Sequence, residues 1–248
     1  MRIALCATLL GVAACALRDV PGPPGEEQVV VQGVLSAQTA QQVLWIERTI
    51  PAGDPVGTEL RPLASPPARV EVRDSTGAVF TFQMDAANPA RFLASFTPTP
   101  GWRYDLLLEA GARVLTASTR VPAALTILNP TADTVTMPRD SFAITWSGPV
   151  RAIRIAYADT AGRPAYGPPS WVTADTVTRL SYIVYFPSSV ATFQVWVVAV
   201  DSVTARLRQP SGFFGPFGDA FNQDRGNLTG GVGFFGAVTG DRLVVKLQ

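Results

Sequence analysis

Cys15 is the residue whose type and setting promise the most chemistry. It follows Val12-Ala13-Ala14, which in turn follow Met1-Arg2 and the apolar run Ile3 to Leu10. A basic start, a short apolar core and a small-residue cleavage site make a secretory signal. The apolar part falls well short of the roughly 20 residues that a membrane-spanning helix needs. Cleavage before the thiol would leave it at a new N-terminus, free to carry acyl chains. Two or more such chains hold a protein lastingly on a bilayer, whereas one is marginal. Elsewhere nucleophilic and metal chemistry has little to work with. The chain has no histidine, and its second cysteine, Cys6, lies inside the signal. Ser-His-Asp hydrolysis, the HExxH zinc arrangement, thiolate metal sites, cysteine nucleophiles and disulfides are therefore excluded from the folded part.

The cysteine placed just after small residues resembles the bacterial lipobox. Residues 1–14 are accordingly expected to be a lipoprotein signal peptide and Cys15 the lipidation site; an ordinary signal peptide that happens to contain a cysteine is the competing reading. Residues 15–28 continue as a Pro- and Gly-rich tether, in which neither a helix nor a central strand can form. At about 3 Å per residue, it would hold its cargo some 30 to 40 Å from the anchor. Glu26 and Glu27 stand side by side there. Adjacent side chains of an extended segment point opposite ways, so they read as solvated charges rather than a catalytic pair.

Other candidates lie further along. Asp219, Asn222, Asp224 and Asn227, with Gly226, make an oxygen-rich loop. Hard oxygens suit Ca²⁺, but the spacing misses the D-x-[DN]-x-[DN]-G pattern, and Asp, Asn and Gly are what ordinary turns demand. The turn is preferred, and no metal is assigned. Tyr166 and Trp171 occupy the proline-rich stretch RPAYGPPSW. Exposed, they would stack on a sugar or peptide; turned inward, they would plug the edge of their own sandwich. Phe213, Phe214, Phe217 and Phe221 stand among glycines, as a partner-binding apolar patch or as core. Asn227-Leu228-Thr229 matches a glycosylation sequon and reads as a chance match. Two carboxylates alone can hydrolyse a glycoside, but nothing in the sequence places two together. No catalytic residue and no cofactor is assigned.

The elements that must position these residues are strands. With 248 residues, 47% hydrophobic and 16% charged, the chain is globular rather than disordered. Its length suits two sandwiches of about 100 residues each. Loss of Arg2 would balance the 20 basic against the 19 acidic residues. With no basic cluster, nucleic acid is not expected as a partner. The first sandwich is expected over 29–121. Val29 to Leu35 and Val43 to Ile46 read as strands, followed by a long Pro/Gly loop from Pro51 to Pro67. Two hairpins stand out. Val70 and Val72 alternate with polar residues ahead of the turn Asp74-Ser75-Thr76-Gly77, and Trp102, Tyr104, Leu106 and Leu108 share one face ahead of Ala110-Gly111.

A second sandwich is expected over 122–205, with strands around Phe142 to Trp146, Ile153 to Tyr157, Tyr182 to Phe186 and Phe193 to Ala199. Their order resembles a fibronectin type III module, in which a tyrosine whose hydroxyl bonds the preceding corner usually stands where Phe193 is. Phe193 cannot make that bond, so the corner must be held otherwise. The strand through Phe193 is apolar on both faces and calls for cover on both, from the first domain or the C-terminal segment. Residues 206–248 form a Gly/Phe-rich segment too short to fold alone, with Thr239-Gly240-Asp241 as a turn and Leu243 to Leu247 as a closing strand. The fold class is thus all-β: two Ig-like/fibronectin III-like sandwiches in tandem, with a C-terminal β segment packed back on them.

Taken in order, the lipobox, VVVQGVLS, ARVEVRDSTGAVF, GWRYDLLLEAGARVLTASTRVP and NLTGGVGFFGA resemble the domain-of-unknown-function 4249 family of predicted outer-membrane lipoproteins. That resemblance implies an anchored β-sandwich protein of the outer membrane, often encoded beside TonB-dependent receptors, and carries over no catalytic residue. The expectation is a non-enzymatic, lipid-anchored protein that binds a receptor of this kind through loop aromatics and strand edges. The alternative is a carbohydrate- or peptide-binding surface module.

Overall fold

The computed structural model describes residues 27–49, 61–131, 134–137, 141–147, 153–159, 172–173, 177–181, 192–207 and 226–247. Its first sandwich is built from β1 (Val29–Ser36), β2 (Gln41–Arg48), β3 (Arg69–Asp74), β4 (Val79–Thr81), β5 (Gln83–Asp85), β6 (Asn88–Ser95), β7 (Arg103–Ala110) and β8 (Arg113–Arg120). One sheet runs β1-β2-β6-β5 and the other β4-β3-β7-β8. Period-two patterning explains why these segments are strands. In β7, Tyr104, Leu106 and Leu108 are buried while Arg103, Asp105 and Glu109 are not; β3 buries Val70 and Val72 in the same way. Leu44, Ile46, Phe92, Leu115 and Phe96 join them in one core.

Both expected hairpins form as read. Gly77 has φ +91° and Gly111 φ +61°, the left-handed backbone that such turns require. Asp74 fixes the first turn through its Oδ1, which accepts from the Thr76 and Ala78 amides at 2.8 and 3.0 Å and from the Thr76 hydroxyl at 2.6 Å. The body begins slightly before Val29. Gln28 donates to Thr49 Oγ1 and accepts from the Thr49 amide, both at 2.9 Å. Glu27 pairs with Arg48 at 3.2 Å rather than standing free in solvent.

The second sandwich comprises β9 (Ile127–Asn129), β10 (Thr134–Met137), β11 (Ser141–Trp146), β12 (Ile153–Asp159), β13 (Val172–Thr173), β14 (Val177–Ser181) and β15 (Thr192–Val200), followed by the short helix α1 (Ser202–Leu207) and β16 (Val232–Leu247). β14-β11-β9 form one sheet and β13-β12-β15-β16 the other, with β10 also on β16. Ile144 and Trp146 are buried, as are Val195, Val197 and Ala199. The strand expected over Tyr182 to Phe186 lies outside the described residues.

β16 corrects the reading of the C-terminal segment. Thr239-Gly240-Asp241 is no turn: it lies in mid-strand, paired with Ala199, Val198 and Val197 of β15. A turn-like composition is overridden here because the backbone is held by flanking strands. Residues 232–238 pair in parallel with β1, 238–246 pair antiparallel with β15, and 244–247 pair in parallel with β10. One strand therefore belongs to both sandwiches and joins their sheets into nine strands. It meets the doubly apolar β15 along its edge rather than as a layer over its face. On the side of Trp196, the Arg242 guanidinium sits 5.9 Å from the ring centroid.

Candidate functional site

A polar groove lies on the outer face of β3, β7 and β8. Glu71 and Arg73 of β3, Arg103 and Asp105 of β7, Thr116 and Ser118 of β8, and then Asn227 and Thr229 line a groove of about 640 Å³. Period two puts these side chains opposite the core, so the strands that bury Val72, Leu106 and Ala117 inward present charged or hydroxyl side chains outward. Glu71, Arg103 and Asp105 are already engaged. Arg69 reaches Glu71 at 2.6 Å and Glu109 at 3.7 Å. Arg103 Nε donates to Asp105 at 2.8 Å and to Ser118 Oγ at 3.0 Å, and Ser118 Oγ in turn donates to Asp105. The Arg69 guanidinium holds the Glu71 carboxyl below the usual carboxylate range, against the opposing pull of burial. A carboxylate held ionised by its own arginine is a poor proton donor near neutral pH.

A second cleft, of about 790 Å³, lies where β8 meets the start of α1, between Arg103, Arg120 and Pro122 on one side and Val200 to Val203 on the other. On the opposite sheet, burial pushes the Glu47 carboxyl up, with the Arg61 amide pulling the other way. Across the strand pair Glu47 faces Val30, an apolar neighbour rather than a second acid.

Cys15, Tyr166, Trp171, Phe213, Phe214, Phe217 and Phe221 lie outside the described residues, as do Asp219, Asn222 and Asp224. Of that oxygen-rich loop Gly226 and Asn227 are described, and the role of Asn227 is structural. Its amide donates to the carbonyls of Ser118 and Phe235, both at 2.8 Å, while its Oδ1 accepts from the Phe235 amide at 2.9 Å. It replaces a stretch of β-ladder between β8 and β16, so its amide is spent inside the fold and is not presented as a glycosylation acceptor. Beside it, Gly233 has φ +109° and so little room that a Cβ would meet the Val31 carbonyl.

The tyrosine missed at Phe193 is found elsewhere. At the start of β7, Tyr104 is buried and its hydroxyl accepts from the Thr99 amide at 2.8 Å. This is the corner bond of an Ig-like sandwich, made in the first domain. Sequence reasoning placed Tyr104 in the core but had no signal for its hydroxyl's partner.

Strand order, corner and polar sheet face define a tandem β-sandwich protein. The chain belongs to the family described as Domain of unknown function (DUF4249), whose model matches residues 19–191. Among solved structures it is similar to the two fibronectin type-III domain segment from chicken tenascin, at 15% identity and a TM-score of 0.22, over 71% of this chain and 90% of that one. It is also similar to the fibronectin(III)-like modules of Clostridium thermocellum CbhA, at 11% identity and a TM-score of 0.26, over 90% and 94%. No curated protein matches the chain.

Proposed function

We propose that the protein is a lipid-anchored accessory protein of the outer membrane that binds a neighbouring membrane protein, such as a TonB-dependent receptor, rather than catalysing a reaction. The observation that carries this reading is Cys15 behind Val12-Ala13-Ala14, a short Pro- and Gly-rich stretch ahead of β1. Two features of the body agree with it. The sandwiches share β16, which suits a stiff presenting arm, and the carboxylates of the polar face are tied to arginines rather than free for proton transfer. Recognition is assigned to the aromatics Tyr166, Trp171, Phe213, Phe214, Phe217 and Phe221 and to strand edges.

Cys15→Ser and cell fractionation test the anchor. The variant should leave the membrane fraction, and a variant as firmly bound as its parent refutes the reading. Cross-linking in intact cells tests the partner, which should be a stoichiometric membrane barrel. A carbohydrate- or peptide-binding module is the second reading, favoured by the groove beside Asp105 and Ser118. Glycan binding by the purified protein, without a membrane partner, would select it.

A further inference from the structure

The first sandwich is not closed by its own strands. Within residues 29–121, β1 has only β2 beside it and β8 has only β7. Residues 226–247 cover both open edges, β1 with a continuous ladder and β8 at a single bridge. Along β1, the first half of β16 runs parallel, from Val30 opposite Val232 to Ser36 opposite Val238. Along β8, Thr229 exchanges backbone bonds with Thr116 at 2.8 and 3.1 Å, and Asn227 takes the Ser118 carbonyl. The same stretch fills the interior. Phe235 and Ala237 are wholly buried in the core that β1 to β8 build. Without it, the sandwich would expose two unpaired edges and a void the size of a phenyl ring, each a recognised source of instability or misassembly. Beyond Val238 the strand passes straight into pairing with β15.

We propose that residues 226–247 are a built-in donor strand. The first sandwich has no stable folded state of its own and gains one only when this segment seats between β1 and the edge of β8. The device is strand addition, by which an extended segment completes an open sheet, supplied here in cis. Two consequences follow from the connectivity. The first sandwich and the β15–β16 pair open and close as one cooperative unit. A chain made N-terminus first also cannot finish its first domain until residues 226–247 arrive.

Native-state hydrogen exchange on the full chain, at denaturant concentrations below the unfolding midpoint, tests this. Amides of Leu106 and Leu108 in β7, Val195 and Val197 in β15, and Phe235 and Ala237 in β16 should merge onto one opening curve. In the full-length Phe235→Ala variant, exchange at Leu106 and Leu108 should accelerate as much as in β16, on the order of a hundredfold. If β7 stays protected after β16 has opened, or if the variant speeds exchange in β16 alone, the first sandwich is autonomous and the proposal fails. Should the variant not fold, the wild-type curves decide by the same criterion.

Discussion

Asp201 and Thr119 meet side chain to side chain at 2.7 Å, 82 residues apart in sequence and both buried. Asp201 follows β15 and Thr119 lies in β8, so the contact ties the second sandwich to the first. The same carboxylate caps α1, its Oδ1 accepting from the Thr204 amide at 2.9 Å, while the Asp201 amide donates to Ala237 of β16 at 3.0 Å. β8, β15, α1 and β16 thus converge on one acidic residue.

Asp201→Ala should therefore cost about 2–4 kcal/mol, since it removes a helix cap and strands a buried hydroxyl. Thr119→Val should cost about 1 kcal/mol. Denaturant titrations of both single variants and the double variant should reveal a coupling of about 1 kcal/mol, as expected for side chains in direct contact. Strict additivity would mean that the two groups act independently.

Tyr104→Phe isolates the corner bond. The ring keeps its place among Phe96, Leu106 and Leu108, and only the oxygen that accepts from the Thr99 amide is lost. About 1–2 kcal/mol should disappear, read as a lower denaturation midpoint at unchanged slope. An unchanged midpoint would show that the hydroxyl does not brace the corner.

Most strands of the first sandwich, β5 and β6 excepted, were legible because burial there follows local alternation: Val70 and Val72, or Tyr104, Leu106 and Leu108, announce their face without reference to the rest of the chain. What local pattern cannot carry is partnership. Thr239-Gly240-Asp241 has turn composition and becomes strand because β15 holds it, and nothing in those three residues names β15. Asn227 looked like loop chemistry because its partners, Ser118 and Phe235, come together only in the folded chain. The helix α1 did leave a signal, Asp201 ahead of Ser202-Val203-Thr204 as a cap, too brief to register as a period. β5, β6, β9, β10, β13 and β14 went unread; turn-formers mask the first four, with Asn88-Pro89 opening β6 and Asn129-Pro130 separating β9 from β10. The candidate binding aromatics lie outside the described residues.

Asp74 gives the fold a specific response to acid. Its carboxyl is held below the usual aspartate range, by the Thr76 hydroxyl above all, with burial opposing and the amides of Thr76, Ala78 and Gly77 adding to the effect. A depressed folded-state value means that the native protein binds fewer protons than the unfolded chain. The associated stability is complete above the unfolded value of about 3.9 and is lost as pH falls through the folded one. Denaturation midpoints of wild type and Asp74→Asn, measured from pH 7 to pH 2, should differ by a constant amount above about pH 5 and converge below about pH 4. Parallel loss in both proteins would assign the acid response to other carboxylates.

Asn227→Asp tests the staple between β8 and β16 with no change of shape. The oxygen that accepts from the Phe235 amide can remain, but the group that donates to the Ser118 and Phe235 carbonyls becomes an acceptor facing two acceptors. Two hydrogen bonds turn into repulsions, for a cost of about 2–4 kcal/mol at neutral pH. Asn227→Ala should cost less, because it leaves the two carbonyls unpaired without setting a negative charge against them. Carbonyl oxygens on either side also raise the folded-state pKa of the new carboxyl. Its penalty is then full above that pKa and relieved as protonation restores one donor below it. Thermal melts should accordingly show the Asp variant below the Ala variant at pH 7 and gaining on it toward pH 4. An Asp variant that melts with wild type at neutral pH would mean that this amide does not join the two strands.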